Sequence, residues 1–235
     1  MNIIKGIKMQ HPLTKLSFTS FLMILYVVFF NASVAFADEK LAIASRGEVV
    51  ILRNAPDLGK KYAKGSANYD GFFVPLATYY TGEVNIHDLA WGNEGLWAVN
   101  TLFSCLSLIN DDYSFTPKWQ PHFIETLSPQ DSCHLNGLAI NQGKPAYVTT
   151  LGKGNGASKW RKNIAEFNGT LIDVDSNQII LDNLPFPHSP RVYDGKTYLL
   201  LSATGELVEA DIEKGSYAVL NRVSGFARGM SKLGD

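Results

Sequence analysis

The chain has 235 residues, of which 46% are hydrophobic, so it is long enough for one sizeable domain and short for two. Its 21 basic and 22 acidic residues are spread along the sequence, which excludes the basic stripe of a nucleic-acid-binding surface. With only 2 cysteines, Cys105 and Cys133, it has neither a disulfide framework nor the paired spacing of a structural zinc site.

Residues 1–37 have the composition of an export leader. Three lysines precede a stretch from Leu16 to Ala37 without any charged residue, and its densest apolar part, residues 21–30, is shorter than the roughly 20 residues of a membrane span. A basic start, a short apolar core and small residues at Ala35 and Ala37 predict a secretory signal cleaved after Ala37, and hence a periplasmic or secreted protein. The alternatives are an uncleaved membrane anchor and a buried strand in a cytoplasmic protein.

The remainder, residues 38–235, predicts one all-β domain. Helical periodicity is scarce, and short alternating strands are separated by Gly, Asn, Asp and Pro. Similar units begin at His87, His134, His188 and the Ala-Arg-Gly of residues 227–229, at spacings near the roughly 40–50 residues of a four-stranded propeller blade. We therefore predict a β-propeller of four-stranded blades, with about four blades visible.

The same repeat extends backward into the leader. Residues 34–36 align with residues 89–91, and residues 41–44 align with residues 96–99. The alanines of the predicted cleavage site therefore coincide with the innermost strand of a first blade, and the two interpretations of this stretch compete.

Polar residues recur near the predicted start of each blade. The first strand of a propeller blade lines the central axis, so such residues converge at one mouth. This predicts a ring formed by His87, Asp88, His134, Asn136, His188, Arg191 and Arg228. Because arginine offers paired donors to carboxylate or phosphate, the ring suits a small polar or anionic ligand, and its rim suits a protein partner. There are two alternatives: the imidazoles hold a divalent metal, or the histidines only form hydrogen bonds with neighbouring backbone.

A glycine-rich run at residues 151–159 lacks the spacing of a phosphate-binding loop. It predicts a mobile loop, followed by Trp160, Arg161 and Lys162, which would cover either the channel mouth as a lid or only the blade edge. Four other aromatic residues are expected to pack between blades: Trp91, Trp97, Trp119 and Tyr147.

Cys133 next to His134 suggests a thiol nucleophile. Adjacent strand residues point to opposite faces, so we expect Cys133 to be a small buried hydrophobe instead. Pairing with Cys105 after export is the other alternative, because the distance between the two is not fixed by the sequence.

Long motifs run through residues 41–228, among them "LAIASRGEVVILRNAP", "IHDLAW", "LWAVNTLFSCLSLI", "CHLNGLAI", "PHSPR" and "GFARG". These motifs resemble a bacterial family of conserved hypothetical proteins of unknown function, some members of which carry tetratricopeptide repeats. Members have blade-like sequence before the first motif and continue past the last. The resemblance therefore implies a truncated or incomplete propeller, and it implies no activity.

Three functions are compatible with these features. We favour a binding module that uses the axial ring without turnover. The second is a metal-dependent hydrolase resembling gluconolactonase and strictosidine-synthase-like propellers, whose Asn-Gly strand starts are similar to residues 134–137. Those enzymes use acidic and amide ligands, whereas only Asp88 and Asn136 offer such oxygens here, which argues against calcium. The third is an inactive fragment, whose open sheet edges would favour aggregation or dimerisation.

Overall fold

The computed structural model describes residues 33–61, 69 and 71–233, without the side chain of Asn163. Residues 1–32, and with them the apolar core of the predicted leader, lie outside the described residues. Within the described part, sixteen strands form four sheets, and each sheet contains four consecutive antiparallel strands.

The strand bounds define four blades in chain order. Blade 1 contains β1 (Ser33–Ala37), β2 (Lys40–Ala44), β3 (Glu48–Asn54) and β4 (Phe73–Tyr80). Blade 2 contains β5 (Ile86–Gly92), β6 (Gly95–Asn100), β7 (Cys105–Ile109) and β8 (Thr116–Trp119). Blade 3 contains β9 (Leu135–Asn141), β10 (Lys144–Thr150), β11 (Gly169–Asp173) and β12 (Gln178–Leu184). Blade 4 contains β13 (Pro187–Tyr193), β14 (Lys196–Leu201), β15 (Glu206–Asp211) and β16 (Ser216–Arg222).

Two short helices interrupt the strands. The helix α1 (Pro56–Lys61) follows β3, and a 3-10 helix (Lys159–Glu166) lies between β10 and β11. No helix in the described part of the chain is long and apolar enough to cross a bilayer.

Tight two-residue turns connect the first two strands of several blades. Asp194 and Gly195, between β13 and β14, have φ angles of 52° and 75°. Positive φ at both positions is the geometry whose twist matches that of the flanking strands, and Asp-Gly is a favoured sequence for it. Asp38 and Glu39 adopt the same positive-φ geometry between β1 and β2 without a glycine.

The four sheets stand side by side as blades. Their first strands are neighbours in the order β1, β5, β9 and β13. The buried apolar side chains form clusters between successive sheets, such as Val49 with Leu89, Leu106 with Leu138, and Leu171 with Leu199. The predicted aromatic residues Trp91, Trp97, Trp119 and Tyr147 all belong to or pack against these clusters. The structure therefore confirms an all-β, propeller-type fold of four-stranded blades.

The register of β1 matches the sequence repeat. Val34 pairs with Ile43 in blade 1, as Leu89 pairs with Ala98 in blade 2. The first strand of blade 1 is therefore formed by the residues of the predicted cleavage site. Cleavage after Ala37 stays a prediction, and it would remove β1 from the blade.

The strand β8 and the 3-10 helix are among the elements that were not expected from the sequence. The outer strand β8 has only four residues and contains a proline, which weakens its strand pattern. The 3-10 helix occupies the segment that follows the glycine-rich run, where we had expected the continuation of a mobile loop. It has one polar and one apolar face over only eight residues, too few for a clear helical periodicity.

Candidate functional site

The first strands of blades 2, 3 and 4 start in the same register. The first residue of each of these strands pairs with the last residue of the neighbouring strand: Ile86 with Asn100, Leu135 with Thr150, and Pro187 with Leu201. The next residue along each first strand therefore occupies an equivalent position, and these residues are His87, Asn136 and His188. Asn136 takes this place in blade 3, so the repeat start predicted at His134 lies two residues too early.

Arg228 occupies the corresponding position after blade 4. The Thr101 hydroxyl donates to the Leu135 carbonyl at 2.5 Å, and the Ser202 hydroxyl donates to the Ala227 carbonyl at 2.6 Å. Ala227 therefore stands where Leu135 stands in blade 3, and the residue that follows it is Arg228.

A second bond fixes the segment that carries Arg228. The Gly229 N–H donates to the Ser189 hydroxyl at 2.9 Å. Ala227 and Met230 are buried against Leu200. We name His87, Asn136, His188 and Arg228 the ring residues.

The hydrogen bonds of His87 fix its tautomer. Its Nδ1 lies 3.1 Å from the Asn85 carbonyl and 2.8 Å from the Thr101 hydroxyl oxygen. A carbonyl only accepts, and Thr101 already donates its proton to Leu135, so Nδ1 must carry the hydrogen. The Nε2 of a neutral His87 therefore keeps a lone pair that can accept a hydrogen bond.

His188 repeats this arrangement. Its Nδ1 lies 2.9 Å from the Phe186 carbonyl and 2.8 Å from the Ser202 hydroxyl oxygen, which donates onward to Ala227. The same argument places the hydrogen on Nδ1 and the lone pair on Nε2.

His134 joins the ring from the loop before β9. Its ring centroid lies 4.7 Å from that of His87, edge to face, and 4.3 Å from that of Trp160. Its Nδ1 lies 3.0 and 3.1 Å from the two carboxylate oxygens of Asp131, which only accept when ionised. The backbone of His134 has φ 53°, a left-handed conformation uncommon outside glycine. All three histidines therefore have Nδ1 held by acceptors.

Burial and neighbouring charge keep two of these histidines neutral. Burial, helped by the charges of His134 and Arg228, lowers the pKa of His87 to about 3. Burial and the charge of Arg228 lower the pKa of His188 well below its usual value. The imidazoles of His87 and His134 adjoin each other, and the charges of His134 and Arg228 contribute to the lowered pKa values of both buried histidines.

Arg228 is the unusual member of this group. Burial lowers the pKa of its guanidinium, yet part of the side chain is exposed. Among the described residues, no carboxylate pairs with Arg228 and no acceptor takes a hydrogen bond from it. Its charge therefore remains available to a bound group.

Asn136 contributes one further free donor. Its Oδ1 accepts a hydrogen bond of 2.6 Å from the Thr149 hydroxyl. Its Nδ2 is buried and has no partner within the described parts of the chain. Buried donors without an acceptor are rare in folded proteins, so this amide is a candidate contact for a ligand or a water molecule.

Asp88 and Arg191, which we had placed in the ring, are engaged with each other instead. The Arg191 guanidinium binds both carboxylate oxygens of Asp88, at 2.9 and 3.2 Å. The same carboxylate accepts the N–H groups of Leu89 and Leu138, and Arg191 also donates to the Leu138 carbonyl.

The charge of Asp88 keeps the partly buried guanidinium of Arg191 protonated. Burial alone would lower the pKa of Arg191, but the charge and hydrogen bonds of Asp88 raise it. The pair connects the first strands of blades 2, 3 and 4, so we assign Asp88 and Arg191 to holding the blades together rather than to ligand binding.

The predicted lid residues lie on the 3-10 helix. Trp160 is buried against His134, and the Arg161 guanidinium lies 4.4 Å from the centroid of the Trp160 ring. Lys162 is exposed. Trp160 therefore forms a fixed wall beside His134 in this structure, and a lid movement of the segment stays a prediction.

The cysteines are not placed for chemistry. Cys105 and Cys133 are both buried and free. Burial raises the pKa of Cys105 to about 11 and that of Cys133 to about 12, so both thiols remain protonated at neutral pH. A thiol that stays protonated is a poor nucleophile.

Metal binding finds less support than anion binding. No three His, Cys, Asp or Glu side chains of the described residues are grouped closely enough to hold a metal ion. A histidine that binds a metal through Nε2 carries its hydrogen on Nδ1, as His87 and His188 do. The positive charge of Arg228 beside them would disfavour a metal cation.

The sequence prediction missed the partners that orient the histidines. Thr101 follows His87 by the same spacing as Ser202 follows His188, and this recurrence was visible in the sequence. Asp131, three residues before His134, carried no comparable signal, because a single acidic residue in a polar loop is common.

Comparisons with known proteins concern the fold. The structure is similar to a streptogramin B lyase, with 9% identity and a TM-score of 0.44, over 86% of this chain and 58% of that chain. It is also similar to apo AztD from Citrobacter koseri, with 13% identity and a TM-score of 0.39, over 83% of this chain and 48% of that chain. The chain thus spans about half the length of these structures. A search of curated proteins finds no match.

A family model provides the remaining comparison. The model described as Domain of unknown function (DUF4915) matches residues 22–235, which include all sixteen strands. The match confirms the resemblance to proteins of unknown function that the motifs indicated. The chain therefore belongs to the DUF4915 family.

Proposed function

We propose that the ring residues and His134 bind a small organic anion that also carries hydroxyl or amino hydrogens. The observation that carries the proposal is the unpaired guanidinium of Arg228 beside three histidines whose Nδ1 atoms are held by acceptors. Binding without turnover is the function that this arrangement supports best.

Arg228 supports the anionic part of the proposal. A guanidinium presents a planar pair of donors that matches a carboxylate or a phosphate. Partial burial lowers the pKa of Arg228, so an anion bound there is screened less than one at a fully exposed side chain. The Nδ2 of Asn136 offers a neutral donor to the same ligand.

The histidines support the second part of the proposal, that the ligand carries hydroxyl or amino hydrogens. His87 and His188 are neutral at pH 7 and carry their hydrogens on Nδ1, so their Nε2 atoms can only accept. A purely accepting anion would find no partner there. A ligand with a hydroxyl or amino group next to its acid group would satisfy both Arg228 and an imidazole.

Two small acids that differ by one hydroxyl group test this proposal. We expect glycolate to bind more tightly than acetate in isothermal titration calorimetry at pH 7.5 and low salt. Arg228→Gln should weaken the binding of both acids about tenfold or more, since a hydrogen bond to a charged group contributes about 1.5–3 kcal/mol. His87→Gln should reduce the preference for glycolate.

An exposed arginine provides the matched control. Arg46 pairs with Glu83 on blade 1 and its side chain is 81% exposed, so Arg46→Gln should leave both affinities unchanged. His87 and His188 should contribute no pH dependence to either affinity between pH 6.5 and 8, because burial lowers their pKa values. Equal affinity of wild type and Arg228→Gln for either acid would refute the proposal.

Metal-dependent hydrolysis is the second candidate, and the fixed Nδ1–H tautomers are the observation in its favour. Metal analysis of the purified protein and a screen of lactones and esters test it directly. Stoichiometric zinc and hydrolysis that are lost together in His134→Ala would replace the binding proposal with an enzyme. Absence of binding to every acid and of any hydrolysis would favour the inactive fragment.

A further inference from the structure

A row of phenylalanines lies beside the ring. The ring centroids of Phe167 and Phe186 are 5.5 Å apart, and those of Phe186 and Phe226 are 6.2 Å apart. The Phe226 ring lies 5.6 Å from the imidazole of His188, edge to face. These distances lie within the range in which aromatic rings attract one another. The three phenylalanines, which we name the aromatic row, therefore continue directly from the ring.

The aromatic row is partly open to solvent. Phe226 is 47% exposed and Phe167 is 36% exposed, and Phe186 is half-buried. Trp97, which lies between blades 2 and 3, is by contrast buried. Exposed aromatic side chains that adjoin one another and a polar site are typical of a ligand-binding surface.

The backbone holds two of these rings in an uncommon conformation. Phe167 has φ 52° and Phe186 has φ 55°, both left-handed. This conformation costs about 1–2 kcal/mol for a residue with a side chain. The Phe186 carbonyl also accepts hydrogen bonds from His188 Nδ1 and from the Ser202 N–H at 3.0 Å. The same bonds therefore position the aromatic row and the imidazole of His188.

Phe226 and Arg228 are both exposed and flank Ala227, which is buried against blade 4. The Ala227 carbonyl and the Gly229 N–H are both bonded to blade 4. An exposed ring and an unpaired guanidinium are therefore held two residues apart, next to His188.

We propose that the ligand of the ring is an aromatic carboxylate, whose acid group binds Arg228 and whose ring packs on Phe226. This proposal rests on the proposed function and adds the class of ligand. Aromatic packing of this kind contributes about 0.5–1.5 kcal/mol, which corresponds to an affinity gain of about three- to tenfold.

Mandelate, which is glycolate with a phenyl group on its carbon, provides the matched probe. We expect mandelate to bind wild-type protein about three- to tenfold more tightly than glycolate. Phe226→Ala should remove this gain, so that mandelate and glycolate bind the variant about equally tightly. Phe36 is 59% exposed on blade 1 and contacts Phe73, so Phe36→Ala is the control that should retain the gain. Circular dichroism melts establish that each variant is folded.

The outcomes separate this proposal from the proposed function. Equal affinities for mandelate and glycolate, with both weakened in Arg228→Gln, would refute the aromatic proposal and support the proposed function. A mandelate preference that survives in Phe226→Ala would refute the assigned location. Equal affinity for hexahydromandelate, in which the ring is saturated, would refute the requirement for an aromatic ring. Absence of binding to all of these acids would refute both proposals.

Discussion

Removal of the Asp88 carboxylate tests whether the central ion pair holds the blades together. In Asp88→Ala, the guanidinium of Arg191 and the N–H groups of Leu89 and Leu138 lose their acceptor. The side chains of Asp88 and Arg191 are 10% and 24% exposed, so water can replace only part of these bonds. We therefore expect a large loss of stability.

The magnitude follows from the cost of breaking a buried ion pair. Removing one partner of such a pair costs about 3–5 kcal/mol. Because Arg191 is partly accessible to water, we expect a loss of stability at the lower end of this range, about 3–4 kcal/mol. For a domain of this size, each kcal/mol lowers the melting temperature by about 2–4 °C, so Asp88→Ala should melt about 6–16 °C below wild type.

Urea unfolding and thermal melts, followed by circular dichroism, provide the measurement. Asp88→Asn keeps one acceptor and should lose less stability than Asp88→Ala. The double variant Asp88→Ala/Arg191→Met should lose less than the sum of the two single variants, since they share one interaction. Asp211, which pairs with Lys214 on the surface, is the control, and Asp211→Ala should melt like wild type. A loss below about 1 kcal/mol in Asp88→Ala would refute a structural role for the pair.

Three further predictions follow from burial and pairing. Because folding lowers the pKa of His188, its contribution to stability is present above about pH 6.5 and is lost as the pH falls. Between pH 6.5 and 4, the free energy of unfolding in urea should therefore fall less steeply in His188→Gln than in wild type, by at most about 1.4 kcal/mol per pH unit. Parallel curves for the two proteins would contradict this. A chain starting at Asp38 lacks β1 and should melt several degrees below one starting at Ser33; equal melts would show that β1 is dispensable. Thiol labelling of Cys105 and Cys133 should be slow in native protein and rapid in urea, and rapid native labelling would show that burial does not protect them.

The repeated units were predictable because their signal is local. The register of β1 agrees with the predicted alignment. His87 and His188 occupy equivalent strand positions, because each follows a residue that pairs with the last residue of the neighbouring strand. Local alternation and turn residues are sufficient for such elements.

The ion pair could not be predicted, because it depends on distance in space rather than in sequence. Asp88 and Arg191 are 103 residues apart, and only the docking of three blades brings them together. The left-handed backbones of His134, Phe167 and Phe186 were equally hidden, since these residues rarely adopt positive φ. The sequence therefore indicated which residues lie near the starts of successive blades, but not which of them form an ion pair.

The hydroxyl groups of Thr101 and Ser202 make the protonation pattern of the site depend on neighbouring backbone. Each hydroxyl orients a histidine of its own blade while it bonds a carbonyl of the next segment along the chain. If adjacent segments separated, each hydroxyl could donate to Nδ1, and only the carbonyl of Asn85 or Phe186 would still favour the hydrogen on Nδ1. A ligand that requires these tautomers would therefore bind the docked arrangement more tightly, and by mass action it would strengthen the contact between successive blades.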